Sequence, residues 1–597
     1  MNKNIIETTG WLVHATVVSA YRSTGHLEGA PPASTEIALD AKTGKLAIRD
    51  GPQPYNGPKL DIERLWRGDF LFELFTEPGT QPCSLPYIPT RQDVAQVRKT
   101  IYIPLVKGWL RTCQQNHPEC TKRRTELPSR VIDVGDRPGE ELSLCVTKHG
   151  SAPYIALSHC WGGPELPKTT RENYASRQKV ILLKELPRSF QDAVHVTRGL
   201  GFRYLWIDSL CVIQGDKDDW EVESSRMAQV YNDAVLVIGA DQAKDSTQGF
   251  LVRRTDSPSS LPVATVQNKD GTWSNVHSRQ FKPLHRDLRR VSPLATRGWT
   301  LQEQFLSRRM VHFVGRELVW ECRTAAWCEC MEIDNMQKDD MDRSGETLGQ
   351  KHRLESDLSK DKGLWHSMIQ QYHARDLTYP SDFLSALSGI ATYLQQQYSA
   401  GKYCAGLWGP SLGELLWYNE TGNARRAMPY RAPTWSWASV TADSDKLHIK
   451  FCADEHEFLE ITQETYILGI ACTPSGKDPN GAVTSGHITL QGQLFPAKLS
   501  YSGAYTLQTD LGSNFQMLSI DEDLRNVTLD VDCILIGLHE EFISSGLILR
   551  KKPIAGNSTY ERVGYFLSSA HGRDMQQKIQ MREYGGVEDD PTSVTII

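Results

Sequence analysis

Three short apolar runs, separated by helix-like stretches, constrain the fold of this chain more than any other feature. The runs cover residues 154–157, 204–212 and 234–240. Residues 185–201 and 216–231 lie between them and carry helix start and stop signals. Buried strands that alternate with helices are typical of an α/β fold with a parallel sheet. We therefore predict an α/β core built on a parallel sheet.

Polar residues follow the first apolar run directly. They are Ser158, His159 and Cys160, and then Trp161, Gly162 and Gly163. Ligand sites of open parallel sheets form beyond the carboxyl ends of the strands. Asp208 is embedded in the second run, where an ionisable group is costly unless it is paired, and Gln214 follows that run. We predict that Ser158, Asp208 and Gln214 lie at one end of the sheet; the alternative is a tight turn that only caps the next helix.

A Cys/His cluster precedes the predicted sheet. Cys113 and His117 are one helical turn apart, and Cys120 follows. A structural zinc site needs four ligands, and the spacing does not select Cys145 as the fourth. We therefore predict that this cluster holds no metal and consists of buried thiols beside a capping histidine. Three later cysteines are interpreted as ordinary thiols: Cys322, Cys328 and Cys330.

Composition excludes several classes of protein. The net charge is −6 with both signs interspersed, which gives no nucleic-acid footprint. The N-terminal segment does not have the pattern of a secretory signal, and no apolar run is long enough to span a membrane. The chain has 13 cysteines, an odd number, which favours reduced thiols over a disulfide framework. We expect a cytoplasmic protein.

Shifts in pattern divide the 597 residues into six segments. A dense run of charges suggests a linker, and short alternating runs near the end suggest antiparallel strands. The segments are an N-terminal extension (1–90), a helix and hairpin that lead into the core (91–150), the α/β core (151–330), a charged linker (331–362), a helical region that includes a helix over 407–418 (363–440), and a C-terminal antiparallel β domain (441–597).

Three sequence blocks together resemble the fungal heterokaryon incompatibility (HET) domain. They are YIALSHCWGG (154–163), YLWIDSLCVIQGDKDDWEVESSRMAQVYNDAVLVIGA (204–240) and TRGWTLQEQFLSRRMVHF (296–313). The resemblance implies a fungal protein of nonself recognition and regulated cell death. The family is considered distantly similar to TIR domains, so the resemblance also implies a flavodoxin/TIR-like sheet. Some TIR domains use a glutamate to cleave NAD at the nicotinamide–ribose bond.

The resemblance also marks individual positions. Nine residues fall on recurrent motif positions of the family: Ser158, Trp161, Gly162, Asp208, Cys211, Gln214, Trp299, Gln302 and Glu303. Five of them are expected to bind a ligand: Trp161, Gly162, Gln214, Trp299 and Gln302. His159 and Cys160 stand where other members often carry Tyr and Val. The chain shows no WD or ankyrin repeats, so it offers no visible recognition array.

The first functional hypothesis is NAD cleavage coupled to cell death, with NAD as the substrate and no cofactor. Cleavage of a glycosidic bond passes through an oxocarbenium-like state that a carboxylate stabilises. Glu303 is the leading carboxylate because it shares a helical face with Trp299; Asp208 and then Glu223 follow it. The alternative role for Glu303 is a structural salt bridge, for which the candidate partners are Arg297 and Arg308.

Two other hypotheses belong to different classes. In a non-enzymatic signalling module, the core binds an incompatibility partner or self-associates, and Asp208 and Glu303 only stabilise the core. In a thiol enzyme of secondary metabolism, Cys160 or Cys211 acts with His159. Adjacent residues of a strand point to opposite faces, so the pairing of Cys211 with His159 is sterically easier than that of Cys160.

Overall fold

The computed structural model describes most of the chain from residue 70 onward and two strands before it. The described residues are 35–39, 45–50, 70–84, 88–92, 102–121, 126–135, 141–163, 166–251, 260–280, 292–314, 317–331, 333–334, 363–398, 401–409, 411–442, 446–452, 460–461, 465–509, 515–525, 527–539, 543–553, 559–568 and 592–597. Almost all of the predicted charged linker lies outside these residues, as do residues 93–101 of the segment predicted to begin with a helix.

Eight α-helices lie within the described residues. They are α1 (Tyr102–Asn116), α2 (Tyr174–Arg177), α3 (Arg188–Leu200), α4 (Asp208–Cys211), α5 (Lys217–Asp233), α6 (Trp299–Leu306), α7 (Gly363–His373) and α8 (Ser385–Tyr398). Short 3-10 turns occur at Pro118–Cys120, Leu183–Glu185, Leu294–Thr296, Pro380–Asp382, Leu412–Leu415 and Trp437–Ser439.

The strands of the first half build the N-terminal and central sheets. They are β1 (Thr35–Leu39), β2 (Lys45–Asp50), β3 (Phe70–Phe75), β4 (Arg130–Asp133), β5 (Ser143–Val146), β6 (Tyr154–Ser158), β7 (Tyr204–Trp206), β8 (Leu236–Gly239), β9 (Ser260–Gln267), β10 (Trp273–Gln280), β11 (Arg309–Val314), β12 (Glu317–Cys322) and β13 (Ala326–Cys328).

The strands of the second half are more numerous. They are β14 (Lys402–Cys404), β15 (Leu407–Gly409), β16 (Trp417–Asn419), β17 (Arg425–Arg426), β18 (Val440–Thr441), β19 (Ile449–Phe451), β20 (Glu460–Ile461), β21 (Tyr466–Pro474), β22 (Val483–Gly492), β23 (Leu494–Tyr501), β24 (Tyr505–Thr509), β25 (Phe515–Ile520), β26 (Leu529–His539), β27 (Ile543–Lys552), β28 (Thr559–Ser568) and β29 (Thr592–Ile596).

An eight-stranded sheet forms the centre of the α/β core. Its order is β13-β12-β11-β8-β6-β7-β4-β5. The four inner strands β11, β8, β6 and β7 are parallel to one another, whereas β12, β13, β4 and β5 pair antiparallel. The predicted α/β class is confirmed, but the sheet is mixed. Strands that follow each other directly in the chain can pair antiparallel, as β11 does with β12 and β4 with β5, whereas parallel strands need a longer crossover connection.

The central strand and its first helix show why this core forms. All five residues of β6 are buried, as expected for a strand that is covered on both faces. Helix α3 buries Phe190, Ala193, Val194 and Thr197, which form one stripe of the helix. It ends at Gly201, whose φ of 89° lies in the left-handed region that favours glycine. The helix therefore stops in time for the chain to return as β7.

Two predicted elements have different limits in the structure. The run over 204–212 is not one strand, because β7 ends at Trp206 and Asp208 begins the single helical turn α4. Residues 407–418 were predicted as a helix, and this prediction is wrong. They contain β15, a 3-10 turn and the start of β16. Pairing of β15 with β14, and of β16 with β19, overrides the helical periodicity.

Two further sheets flank the core. Strands β1, β2, β3, β10 and β9 form a five-stranded antiparallel sheet, so part of the predicted N-terminal extension is regular structure. The C-terminal strands form a ten-stranded sheet that is antiparallel except where β28 meets β29, which confirms the predicted antiparallel class of this region. Among the described helices, none combines the length and the apolar character that a membrane crossing requires.

Candidate active site

Ser158 and Glu303 meet at the carboxyl end of β6. Ser158 is the last residue of that strand, is wholly buried, and pairs in register with Gly239 of β8. Glu303 lies on α6 and is 4% exposed. The Ser158 hydroxyl donates a hydrogen bond to Glu303 Oε2 over 2.5 Å. The first and third sequence blocks therefore meet in one buried contact, although 145 positions separate the two residues.

Asp208 lies at the same edge of the sheet, at the start of α4. Its Oδ1 accepts from the backbone N–H of Ser209 (2.7 Å), and its Oδ2 accepts from Trp161 Nε1 (2.5 Å). Because β6 and β7 are parallel, their carboxyl ends meet at one edge, and the predicted proximity of Ser158 and Asp208 is confirmed. Gln214 also lies there, with Nε2 3.4 Å from the Asp208 carbonyl oxygen.

Burial and a neighbouring carboxylate set the protonation of Glu303. Burial raises the pKa of Glu303 to about 7, and the negative charge of Asp208 adds to the rise. Ser158, Arg297 and Tyr231 oppose this rise in pKa. A carboxyl group with this pKa exchanges its proton near neutral pH, which is the property of a general acid or base.

The predicted salt bridge of Glu303 is not present among the described residues. Arg297 donates from Nη1 to the carbonyl oxygen of His159 over 2.9 Å. Arg308 lies 3.5 Å from the carboxylate of Asp233. Glu303 is therefore held by a hydroxyl group and not by a cation.

The thiols and the histidine of this edge do not have the properties of a nucleophile and its base. Burial raises the pKa of Cys160 to about 11 and that of Cys211 to about 12. Burial also lowers the pKa of His159 to about 4, and its ring packs edge-on against Phe190 at 5.0 Å. The His159 Nδ1 lies 3.9 Å from Asp208. A catalytic thiol needs a lowered pKa, so these values argue against the thiol-enzyme hypothesis.

Two residues of α6 that were expected to bind a ligand lie away from this group. Trp299 Nε1 donates to Asp382 Oδ2 over 3.2 Å, towards the helical region. Gln302 is buried against α8, where a Cβ on Gly389 would lie 2.6 Å from its Oε1. The structure therefore does not bring Trp299 and Glu303 together, although they are one helical turn apart.

Two other predicted residues occupy distinct places. Glu223, the third candidate carboxylate, lies 3.6 Å from Arg130 Nη2 in a buried ion pair. Gly162 has a φ of 83°, and a Cβ at this position would lie 2.5 Å from the Cβ of Asp245. Gly162 is therefore required by the turn after Trp161, where both backbone conformation and space exclude a side chain.

Tyr231 belongs to the cluster but was not predicted. It is buried at the end of α5, its hydroxyl lies 3.4 Å from the Leu157 carbonyl oxygen, and its ring packs edge-on against Trp206. Burial raises the pKa of Tyr231 well above its usual value, and the charge of Glu303 contributes. In the sequence Tyr231 looks like an ordinary apolar position of a helix, and no local signal distinguishes it.

A cavity of about 360 Å³ adjoins the cluster. Thr300 and Gln304, on the same helix as Glu303, line it together with Asp241 and His312. Its volume falls within the range of small-molecule sites. Ser158, Asp208 and Glu303 do not line this cavity, so it borders the cluster without opening onto the carboxylates.

The Cys/His group before the core has a fourth member that the sequence analysis did not identify. The potential ligand atoms of Cys113, His117, Cys120 and Cys322 all lie within 4.8 Å of one another. The prediction that this group holds no metal assumed that only three ligands come together, and that assumption is wrong. Cys322 is brought to the group by β12, and spacing alone cannot show such a long-range approach.

A comparison with known protein families matches the part of the chain that contains the cluster of Ser158, Asp208 and Glu303. Residues 154–303 match the family model described as Heterokaryon incompatibility protein (HET). The match begins at the first residue of β6 and ends at Glu303, so it contains Ser158, Asp208 and Glu303. Neither a curated protein nor a solved structure matches the chain. Residues 154–303 of this chain are therefore similar to the HET domain of heterokaryon incompatibility proteins.

Proposed function

We propose that this protein acts in nonself recognition and triggers regulated cell death by cleaving NAD at the nicotinamide–ribose bond. The observation that carries the proposal is the 2.5 Å contact between Ser158 and Glu303 at the carboxyl edge of the sheet, beside Asp208. The 13 free cysteines fit a reducing compartment, and we place the protein in the cytoplasm.

The strand order supports a flavodoxin/TIR-like core. Taken in chain order, the four parallel strands β6, β7, β8 and β11 have the spatial order 2-1-3-4. This is the beginning of the flavodoxin-like order, in which ligands bind where the chain continues to opposite sides of the first strand. Here that point is the carboxyl end of β6, which is the position of Ser158.

Glu303 supplies the chemistry. As the ribose–nitrogen bond breaks, its electron pair moves to the nicotinamide nitrogen and positive charge develops on the ribose. The carboxylate form of Glu303 stabilises that charge. The oxygen of a water molecule then bonds to the ribose carbon, and the proton that it loses passes through Glu303 to solvent. Ser158 orients the carboxylate, and burial, together with the charge of Asp208, keeps the Glu303 pKa close to neutral pH.

The exposed side of the cluster suits an anionic, aromatic substrate. The indole of Trp161 is half-buried and is fixed by its hydrogen bond to Asp208. Lys168 Nζ lies 5.4 Å from the centroid of the Trp161 ring. In the proposed complex, the nicotinamide ring packs on Trp161 and the phosphates of NAD lie towards Lys168.

The test is nicotinamide release from NAD by the purified full-length protein, measured by chromatography. Glu303→Gln keeps the shape of the side chain and should lower the rate at least about 100-fold, which is the usual contribution of a positioned acid or base. Glu414→Gln is the matched control, because Glu414 is also a buried carboxylate but binds His366 (2.9 Å) in the other half of the chain. Release by a folded Glu303→Gln variant at the wild-type rate would contradict the proposal.

A non-enzymatic signalling module is the second candidate. The observation that favours it is the burial of Ser158 and Glu303, together with a cavity that does not reach them. In this case the core self-associates or binds an incompatibility partner, and the cluster only stabilises it. Folded wild-type protein that releases no nicotinamide, together with a Glu303→Gln variant that still kills cells, would support the module over the enzyme.

A further inference from the structure

Four metal-binding side chains converge just outside the HET domain. Cys113 is in the last turn of α1, His117 precedes the 3-10 turn Pro118–Cys120, Cys120 ends that turn, and Cys322 ends β12. All four are buried, and none of the three cysteines is in a disulfide. His117 Nδ1 lies 3.4 Å from Cys322 Sγ, although 205 positions separate the two residues.

The distances match the geometry of a tetrahedral zinc site. With Zn–S bonds of about 2.3 Å and a Zn–N bond of about 2.0–2.1 Å, tetrahedral ligand atoms lie roughly 3.5–4 Å apart. The four ligand atoms here lie within 4.8 Å of one another, so a small movement of the side chains brings them onto one ion. Three cysteines and one histidine are one of the usual ligand sets of a closed, structural zinc site.

A buried arginine provides independent support for negative charge at this site. Arg309, the first residue of β11, is buried, and its Nε donates to Cys113 Sγ over 3.1 Å. It also donates to the carbonyl oxygens of Val235 (3.2 Å) and Cys120 (2.7 Å), and no ion pair within the described residues joins it to a carboxylate. A buried guanidinium is costly without an anion. Zinc with three thiolates and a neutral histidine carries one net negative charge, which Arg309 would balance.

Contacts with neighbouring residues orient the proposed ligand side chains. The backbone N–H of Ala325 points at Cys322 Sγ over 3.2 Å, and the hydroxyl of Thr324 lies 3.8 Å from Cys120 Sγ. The ring of His117 packs against Trp327, with 5.4 Å between the ring centroids. Donors to thiolate sulfur and packing of the ligand histidine are the outer contacts that metal sites use.

We propose that Cys113, His117, Cys120 and Cys322 bind one structural zinc ion. The ion would fasten α1, which precedes the HET match, to β12, which follows it. The two chain segments that flank residues 154–303 would thus be cross-linked to each other beside the central sheet. All four positions of the ion would be filled by protein, so the site is structural and does not take part in NAD cleavage.

The test is the metal content of the full-length protein, purified without chelator and measured by mass spectrometry of the metal. We expect about one zinc ion per chain. Cys322→Ser should reduce zinc to background. Cys145→Ser is the matched control: it removes a thiol of β5 that lies outside the cluster, and zinc should be retained. Zinc that persists in folded Cys322→Ser, or that is lost from Cys145→Ser, would overturn the proposal.

A measurement on the wild-type protein covers the case in which Cys322→Ser does not fold. X-ray absorption at the zinc edge should show three sulfur ligands at about 2.3 Å and one nitrogen at about 2.0–2.1 Å. A shell of oxygen and nitrogen only would refute the site. A folded, metal-free wild-type protein, or a disulfide between Cys113 and Cys120 in unreduced protein, would do the same.

Discussion

Two buried charged side chains of this protein, Glu303 in the core and Arg562 in the C-terminal sheet, are held in opposite ways. Arg562 is wholly buried on β28 and donates from Nε to Asp521 Oδ2 over 2.9 Å. Its two terminal nitrogens donate to the carbonyl oxygens of Leu415 (2.6 Å) and Trp417 (2.5 Å). Glu303 has no ion-pair partner among the described residues: the neutral hydroxyl of Ser158 donates to it, Arg297 and Tyr231 only partly offset the effect of burial, and a second carboxylate lies nearby.

This difference indicates that Arg562 has a structural role, whereas Glu303 is a candidate functional residue. The guanidinium of Arg562 also stacks 3.5 Å from the Trp417 ring centroid, so every side of it is occupied. Burial lowers the pKa of Arg562 to about 10, which leaves it charged at neutral pH. Burial raises the pKa of Glu303 to about 7, which leaves it poised between two states. Perturbed groups of this second kind concentrate at functional sites.

The largest expected effect is on the structural charge. Arg562→Met removes the cation and leaves Asp521 buried beside the more distant Arg426 (3.6 Å). Breaking a buried pair in this way costs about 3–5 kcal/mol, so the melting temperature should fall by roughly 6–20 °C for a unit of about 150–250 residues. Thermal unfolding of the full chain measures this fall in melting temperature. Arg525→Met, which breaks an exposed pair with Asp523, is the control and should leave the melting temperature unchanged. Equal melting of the two variants would show that Arg562 is not a structural charge.

A smaller and pH-dependent effect is expected for Glu303. Because its pKa is raised in the folded state, the proton stabilises the fold below the unfolded pKa of about 4.5, and this stability is lost as the pH rises through about 7. Glu303→Gln imitates the protonated form at every pH. Its free energy of unfolding should therefore match wild type near pH 4.5 and exceed it by up to about 3 kcal/mol at pH 8.

Chemical denaturation of both proteins across this pH range measures the difference. His159, whose stability contribution has the opposite pH dependence because burial lowers its pKa to about 4, is present in both proteins and cancels. A Glu303→Gln variant that is less stable than wild type at pH 8 would show that the carboxylate is a structural anion. The contrast with Arg562 would then disappear.

Local features of the core, and the edge of the sheet at which the polar residues lie, could be predicted from the sequence. The apolar runs predicted β6 and β8. The polarity change after Leu157, and the position of Asp208 late in the next run, placed both polar residues at one edge, because the carboxyl ends of parallel strands lie at the same edge of a sheet. The motif blocks also identified Glu303. Its direct contact with Ser158 was not predictable, since it depends on how α6 packs against β6.

The features that could not be predicted from the sequence depend on contacts between segments that are distant in the chain. Cys322 joins Cys113 only because the hairpin of β11 and β12 returns beside α1. Tyr231 reaches Glu303 only because α5 packs against α6. Helical periodicity also led to the wrong prediction of a helix at residues 407–418, where the pairing of β15 with β14 and of β16 with β19 determines the backbone conformation. In each case a contact between distant segments decides the outcome, and spacing within one segment carries no information about it.

The smallest expected effect is the alkylation of the thiols of the candidate active site. We expect Cys160 and Cys211 to react as slowly as the buried Cys533 of the C-terminal sheet. A pKa of about 11 gives Cys160 about 100-fold less thiolate at neutral pH than a thiol with the usual pKa of 9.0, and Cys211 has still less. Native protein treated briefly with iodoacetamide at pH 7 should therefore be alkylated at the half-exposed Cys145 and remain unmodified at Cys160, Cys211 and Cys533. Peptide mass spectrometry measures each site, and urea-unfolded protein, in which all four react, is the control. Rapid alkylation of Cys160 or Cys211 in the folded protein would restore the thiol-enzyme hypothesis, because only a lowered pKa and an open path would make either residue react.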